Sequence, residues 1–69
     1  MNKKEAGQKI REFRKHLKVT QSDLAGISGV SLRNLIEIEA GKANPTFEVL
    51  EKICETLGLE IRIEVKQHE

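Results

Sequence analysis

The sequence predicts a mainly α fold of four helices, followed by one C-terminal β-strand. Four stretches place their apolar residues at intervals of three and four, which is the spacing of an amphipathic helix. In the last stretch the period falls to two, and β-branched side chains, which favour a strand, alternate with charged ones. The apolar positions of this stretch are Leu59, Ile61, Ile63 and Val65. With a length of 69 residues, the chain has room for one small domain.

The composition narrows the class of protein. Hydrophobic residues make up 38% and charged residues 33% of the chain, a balance that permits a folded core. The only aromatic residues are Phe13 and Phe47, so the core must be mainly aliphatic. No apolar run approaches the ~20 residues of a membrane helix, and the N-terminus lacks the apolar centre of a signal peptide. A lone cysteine excludes an internal disulfide framework and agrees with a reducing cytoplasm, where we expect the protein to act.

The net charge of +1 conceals an asymmetry along the chain. Residues 1–18 carry seven basic and two acidic side chains, a balance of +5, whereas residues 43–69 carry three basic and six acidic ones, a balance of −3. The sequence therefore does not predict a uniformly basic surface. A basic face at one end can still meet phosphate.

The first two helices are predicted from their apolar spacing and their polar starts. Residues 3–17 form the first helix, and its apolar positions are Ala6, Ile10, Phe13 and Leu17. Thr20 is expected to begin the second helix, because its hydroxyl can accept the backbone N–H of Asp23. The second helix is short, its inward residues are Leu24, Ala25 and Ile27, and residues 27–31 are expected to form a turn in which Gly29 is left-handed.

The next two helices follow the same logic. Ser31 is expected to cap a third helix over residues 32–40, which Gly41 ends, with inward positions at Leu35, Ile38 and Glu39. Residues 42–45 form a loop, and Thr46 caps a fourth helix that Gly58 ends. The apolar stripe of this helix consists of Phe47, Leu50, Ile53, Cys54 and Leu57.

Two short capped helices joined by a glycine-containing turn have the layout of a helix-turn-helix. Over residues 10–59 the sequence resembles the XRE or lambda-repressor-like helix-turn-helix family. The resemblance rests on the order and spacing of the segments Thr20-Gln21, Leu24-Ala25, Gly29-Val30-Ser31, Ile38-Glu39, Gly41-Lys42 and Pro45-Thr46. It implies a lambda-repressor-like four-helix DNA-binding domain at residues 1–58, with a dimerisation strand and tail at residues 59–69. A short domain that ends in one strand is similar to the HipB-like antitoxins of this family.

The resemblance also implies a set of DNA contacts. In the family, the positions of Leu32, Arg33 and Glu37 face base edges. Arg33 can donate two hydrogen bonds to guanine, whereas Leu32 can touch only a thymine methyl or a deoxyribose. Glu37 can accept from cytosine or orient Arg33 through an i, i+4 pair. The residues that match backbone or phosphate contacts are Gln21, Ser31, Asn34, Lys42 and Asn44.

Two features qualify this site. Family members often carry polar residues where Leu32 and Ile36 stand, so this face either reads thymine methyl groups or packs against a protein. Arg14 and Glu39 are implied to form a structural ion pair between the first and third helices, not a DNA contact. Lys15 and Lys18 are equally consistent with phosphate contacts and with a solvated helix face.

A solitary strand leaves its backbone groups unpaired, and self-pairing across a two-fold axis is the simplest remedy. Residues Leu59, Ile61, Ile63 and Val65 would then form the dimer interface of a homodimer that binds a palindromic double-stranded operator, most simply as a repressor associated with the bacterial nucleoid. A HipB-like antitoxin would also bind a HipA-like kinase toxin. The alternatives are a phage-type repressor, a restriction-modification controller, or a protein-interaction module that reuses the fold. No catalytic, cofactor-binding or metal-ligating pattern is recognisable, so an enzyme is not predicted.

Overall fold

The computed structural model describes residues 1–66, and these contain four α-helices. In chain order they are α1 (Lys3–His16), α2 (Gln21–Ser28), α3 (Leu32–Glu39) and α4 (Phe47–Leu57). The four predicted helices are therefore confirmed, with ends that differ by one or two residues. Among residues 1–66, no helix combines the length and the apolar character that crossing a membrane requires.

A side-chain oxygen caps the start of every one of these helices. The residue before the helix accepts the backbone N–H three positions further on, which satisfies one of the donors that a helix start leaves free. The four pairs, with their distances, are Asn2 with Glu5 (2.8 Å), Thr20 with Asp23 (3.0 Å), Ser31 with Asn34 (3.1 Å) and Thr46 with Val49 (3.1 Å). The last three caps confirm the sequence prediction.

Left-handed glycines end α2 and α4. Gly29 has φ of 77° and Gly58 has φ of 74°, a conformation that a residue with a Cβ adopts only at a cost. The chain then folds back on the helix end, so that the Val30 N–H donates to the Ala25 carbonyl at 3.1 Å and the Leu59 N–H to the Cys54 carbonyl at 2.7 Å. These bonds fix the turn between α2 and α3 and the exit of the chain from α4.

The core is aliphatic, as predicted, and is built where the four helices meet. Its fully enclosed side chains are Leu24, Leu35, Ile38 and Ile53, and the other buried apolar members are Ile10, Ala25, Val30 and Leu57. Both phenylalanines lie outside this cluster. Phe13 is 43% and Phe47 is 61% exposed, so the core covers only part of the apolar stripes predicted for α1 and α4.

Ile27 is a correction to the predicted core. Its side chain is 73% exposed, although the sequence predicted it to face inward. The reason is that α2 continues through Ser28 and does not turn at Ile27. Ser28 then takes the buried position four residues after Leu24, and the helical rotation directs Ile27 toward solvent.

Gly7 marks the closest approach of α1 to α3. The residue is buried, and a Cβ built on it would overlap the backbone carbonyl oxygen of Ile38. A helix interior that passes this close to another backbone tolerates glycine alone. The contact sets the distance between α1 and α3.

The predicted C-terminal strand is absent from the single chain. Residues 59–66 contain neither helix nor strand, and residues 67–69 of the predicted 59–69 segment lie outside the described residues. A strand is defined by hydrogen bonds to a second strand, and residues 1–58 supply none. Leu59 is half-buried against the core, while Ile63 and Val65 are 96% and 93% exposed.

Candidate nucleic-acid interface

The third helix projects an exposed face from the domain. Leu35, Ile38 and Glu39 point inward and are buried, which confirms the predicted inward positions. The opposite face carries Arg33, whose side chain is 91% exposed. On that face Leu32 and Ile36, four residues apart, are 40% and 44% exposed and form an apolar strip.

Arg33 and Glu37 form an i, i+4 pair on this face. The Nε of Arg33 lies 3.7 Å from the Oε1 of Glu37, and the Glu37 side chain is 48% exposed. A pair this exposed contributes less than ~1 kcal/mol to folding because water screens it. It holds the guanidinium over the surface of α3 without enclosing it.

A buried ion pair joins α1 to α3. The Nε of Arg14 donates to Glu39 Oε2 at 2.7 Å, and its Nη2 donates to Glu39 Oε1 at 2.9 Å. The side chain of Arg14 is 10% and that of Glu39 is 2% exposed. The third nitrogen, Nη1, donates to the Val19 carbonyl at 2.9 Å and so ties the same guanidinium to the turn before α2. The pair implied by the family resemblance is present in the structure.

The ion pair favours the charged form of Arg14. Hydrogen bonding to Glu39 raises the pKa of Arg14 above its ordinary value, although burial acts in the opposite direction. Every fully enclosed side-chain nitrogen and oxygen in residues 1–66 has a hydrogen-bond partner. Removing one partner would leave a buried, unpaired charge, which typically costs about 3–5 kcal/mol.

Gln21, the first residue of α2, belongs to the same network. Its Nε2 donates to Glu39 Oε1 at 3.1 Å, a contact that the sequence did not predict. A carboxylate only accepts hydrogen bonds, so Glu39 fixes which end of the Gln21 amide faces inward. The amide nitrogen has a second N–H, which remains for an outside acceptor.

A polar cleft of about 260 Å³ opens between α1, α2 and α3 at this network. Its lining residues are Arg11, Arg14, Gln21, Ile36, Glu39 and Ala40. The cleft brings the start of α2 together with the exposed face of α3, although these lie far apart in sequence. Arg11, which the sequence did not single out as a site residue, adds a positive charge to its rim.

The loop after α3 forms a basic cluster with the start of α1. Lys42 and Asn44 are exposed in this loop. The Nζ of Lys3 lies 3.5 Å from the Lys42 carbonyl, and a Cβ built on Gly41 would lie 3.1 Å from the Cα of Lys4. Lys3 and Lys4 therefore lie beside the loop that carries Lys42, although the sequence singled out Lys42 alone as a site residue. The excess of positive charge in residues 1–18 was the signal that pointed to the other two.

The remaining predicted residues lie at the start of α3. Ser31 is exposed, and its hydroxyl accepts the Asn34 N–H as the helix cap. That bond leaves the hydroxyl proton free to donate elsewhere. Asn34 is half-buried one turn further along.

Comparison with known proteins shows the family of the chain. A helix-turn-helix family model matches residues 10–63. An uncharacterized HTH-type transcriptional regulator of Sinorhizobium fredii is 37% identical over 57 residues, which cover 83% of this chain and 75% of that protein. The immunity repressor protein of Bacillus phage phi105 is 36% identical over 55 residues, which cover 80% of this chain and only 38% of the repressor.

Two solved structures share the four-helix fold. The restriction-modification controller protein C.AhdI from Aeromonas hydrophila gives a TM-score of 0.81 at 28% identity, covering 84% of this chain and 88% of that one. The clp gene regulator ClgR from Corynebacterium glutamicum gives a TM-score of 0.79 at 35% identity, covering 83% of this chain and 61% of that one. With its capped second and third helices and the matched span of residues 10–63, the chain belongs to the XRE-type helix-turn-helix family of transcriptional regulators.

Proposed function

We propose that the protein is a sequence-specific DNA-binding repressor that acts as a homodimer on a palindromic operator. The observation that carries this proposal is the exposed face of α3, where Arg33 extends from a helix whose other face is locked into the core. An α-helix fits the major groove, which is roughly 12 Å wide. The buried Arg14–Glu39 pair and the Gly7 contact hold α3 rigidly against α1, which a reading helix needs.

Base recognition is assigned to side chains on the exposed face of α3. Arg33 donates two hydrogen bonds to the O6 and N7 atoms of a guanine. Glu37 keeps the Arg33 guanidinium in place, since their exposed pair already exists without DNA. Leu32, extended by Ile36 four residues later, contacts thymine methyl groups.

Phosphate contacts position the helix in the groove. The free N–H of the Gln21 amide, the Lys42 ammonium and the side chain of Asn44 would bind phosphates near the C-terminal end of α3. Ser31 and Asn34 would do so at the start of the helix. Lys3 and Lys4 add charge beside Lys42. Such contacts provide affinity and register but carry no sequence information.

A dimer would present two α3 helices to half-sites about 34 Å apart, one turn of DNA. The exposed apolar residues Ile63 and Val65 support an interface at the C-terminal segment. A repressor follows most simply, since a dimer that occupies a promoter operator blocks access to it.

Three subtypes remain as proposals. The names of the phage immunity repressor and the restriction-modification controller support the phage-type or controller alternative. The HipB-like antitoxin, with a HipA-like kinase as partner, is supported by the family resemblance of the sequence. A kinase-sized gene directly downstream, whose product co-purifies with this protein, would decide for the antitoxin.

A protein-interaction module is the rival from another functional class. The apolar strip of Leu32 and Ile36 favours it, since apolar side chains on an exposed helix face often pack against a partner protein. Titration of selected DNA fragments at several salt concentrations separates the two. A DNA-binding protein loses affinity linearly in log[salt], by roughly 0.9 per phosphate neutralised, and selects one sequence from a random pool. Weak binding without sequence preference would instead support the interaction module.

A further inference from the structure

The C-terminal segment, residues 59–66, leaves the domain along an apolar groove. A groove of about 310 Å³ lies between α1 and α4 and is lined by Phe13, Leu50, Leu59 and Ile61, among others. Leu59 is half-buried there, and Ile61 is 38% exposed. Beyond this point Ile63 and Val65 are almost fully exposed. The apolar residues of the segment therefore begin at the core and continue into solvent.

Three charged residues of the segment, Glu60, Arg62 and Glu64, are joined by ion pairs. The Nε of Arg62 is 3.3 Å from Glu60 Oε2, and its Nη1 is 3.6 Å from Glu64 Oε1. One guanidinium thus reaches the residues two positions before and two positions after it. Contacts between residues two positions apart are those that an extended backbone, as in a β-strand, brings to one side.

We propose that two copies of this segment pair as antiparallel strands with Ile63 on the two-fold axis. Ile63 then faces the partner's Ile63, and Ile61 faces the partner's Val65. This inference rests on the homodimer of the proposed function and specifies its register. The occupant of the exposed apolar face is a second copy of the same segment.

The apolar pattern restricts the possible registers. Residues directly opposite each other in an antiparallel pair lie on the same face of the sheet. A slip of one residue would place Ile63 opposite the partner's Arg62 or the partner's Glu64, and would turn the apolar face toward solvent. The remaining registers are those in which the two-fold axis passes through a residue and not between two residues.

The charge pattern selects among those registers. With Ile63 on the axis, Arg62 faces the partner's Glu64 and Glu60 faces the partner's Lys66, so symmetry gives four opposite-charge pairs. An axis at Arg62 would place Arg62 opposite its own copy and Glu60 opposite the partner's Glu64. An axis at Glu64 would place Glu64 opposite its own copy and Arg62 opposite the partner's Lys66. Parallel strands in register would also place every charge beside its own copy. Like charges directly opposite each other destabilise a strand pair.

Two more distant registers fail on the apolar face. An axis at Ile61 would place Val65 opposite the partner's Leu57, which is buried in α4. An axis at Val65 would place Ile63 opposite the partner's Gln67, a polar residue. The register centred on Ile63 is the one that matches both faces.

Cysteine cross-linking tests the register. The starting protein is Cys54→Ala, because Cys54 is the natural thiol of the chain and burial raises its pKa. Into it we would introduce Ile61→Cys, Ile63→Cys or Val65→Cys, and oxidise each variant at low micromolar concentration. A disulfide requires Cα atoms about 4.4–6.8 Å apart, which directly opposed residues satisfy.

The expected pattern is specific to the register. Ile63→Cys forms a covalent dimer by itself, whereas Ile61→Cys and Val65→Cys form one efficiently only when the two variants are mixed. The register is overturned if Ile61→Cys or Val65→Cys alone forms a covalent dimer in the same yield as Ile63→Cys. A wild type that dimerises in sedimentation while none of these variants cross-link overturns the strand interface.

Charge reversal gives a second, independent readout. Arg62→Glu should raise the dimer dissociation constant roughly tenfold, because it places a carboxylate opposite the partner's Glu64 at two symmetric positions. The double variant with Glu64→Arg should return the constant to within about threefold of the wild type. A double variant as weak as the single one overturns the register.

Operator titration of the wild type separates this inference from the proposed function. A protein that shows the expected cross-links but binds no DNA refutes the repressor and leaves the register standing. A monomer that binds DNA refutes the register and leaves DNA binding standing.

Discussion

Glu37 and Glu39 are two residues apart on α3, yet they have opposite environments. Glu39 accepts three hydrogen bonds from Arg14 and Gln21, and its side chain is 2% exposed. Glu37 is half exposed beside Arg33. We therefore expect Glu39→Ala to lower the free energy of unfolding by about 3–5 kcal/mol and Glu37→Ala by less than ~1 kcal/mol. Urea titration of both variants measures this; equal, small losses would show that Glu39 is not a structural acid.

Arg33 and Lys42 should affect DNA binding in different ways. Arg33→Ala should weaken binding to the preferred operator by ~1–3 kcal/mol and relax the preference at one base pair in each half-site. Lys42→Ala should weaken binding to all sequences almost equally and reduce the salt slope by about one, since a phosphate contact reads no base. Titrations with the operator and its single-base variants compare the two. If Arg33→Ala left the operator affinity and the base preference unchanged, the assignment of α3 to the major groove would be wrong.

If the apolar strip on α3 contacts thymine methyl groups, removing one of these methyl groups from the operator should weaken binding. Replacing one contacted thymine by uracil removes its methyl group and should cost about 0.8 kcal/mol, the value of one buried methylene. Leu32→Ala, used as the matched protein variant, should bind the thymine and uracil operators equally. If the wild type binds the thymine and uracil operators equally at every substituted position, Leu32 does not contact a thymine methyl group.

The family resemblance implied the Arg14–Glu39 pair but not the bond from Gln21 to Glu39. The pair belongs to the family pattern, whereas the third bond depends on how closely the start of α2 approaches the end of α3. The same limit applies to Arg11, which shares a cleft with Gln21 through packing alone. Local patterns identify residue types and faces, but the distance between two faces is set by the core.

Helix starts and ends were the most predictable elements, because each depends on chemistry within four residues. Thr20, Ser31 and Thr46 all cap as expected, and Gly29 is left-handed as expected. Burial was less predictable. The spacing of α1 and α4 identifies an apolar side but not how much of it the other helices cover, so Phe13 and Phe47 remain substantially exposed.

Two helix-interior glycines should respond to alanine in opposite directions. Gly26 in α2 has no atom within 4 Å of the position of a Cβ, so Gly26→Ala should stabilise the protein by about 0.5–1 kcal/mol through helix propensity. Gly7 in α1 has the same intrinsic preference, but its new methyl group would meet the Ile38 backbone. Gly7→Ala should therefore destabilise the protein by about 1–3 kcal/mol, as overpacking does. Thermal melts of both variants decide this, and a stabilised Gly7→Ala would mean that α1 is not held by this contact.

At the scale of the whole molecule, the loop after α3 and the C-terminal segment present two different kinds of surface. The basic excess of residues 1–18 meets the loop after α3, since Lys3 and Lys4 lie beside this loop, which carries Lys42. The exposed apolar side chains of the C-terminal segment lie on the groove between α1 and α4 or beyond it. This division supports one surface for phosphate and another for a second subunit. The asymmetry of charge along the sequence predicted the first surface; the second followed from the period-two pattern.

Dimerisation should control operator binding, and Ile63→Pro tests it without disturbing the subunit. The side chain of Ile63 is 96% exposed, so its loss costs the single domain little. Truncation after Gly58 is a less selective test, because it also removes Leu59, which packs against the core. Proline removes a backbone donor and fixes φ, which disrupts strand pairing more than the loss of a side chain does.

We expect Ile63→Pro to be monomeric at concentrations where the wild type is a dimer, and to bind a full palindrome at least about tenfold more weakly, because its two half-sites no longer act together. Ile63→Val, which keeps a β-branched residue at the axis, is the matched control and should behave like the wild type. Sedimentation equilibrium measures the first effect and operator titration the second. A wild type that stays monomeric at about 100 μM, or an Ile63→Pro variant that dimerises equally well, would show that the C-terminal segment does not join the subunits. Loss of dimerisation with full operator affinity would show instead that a single α3 is sufficient for binding.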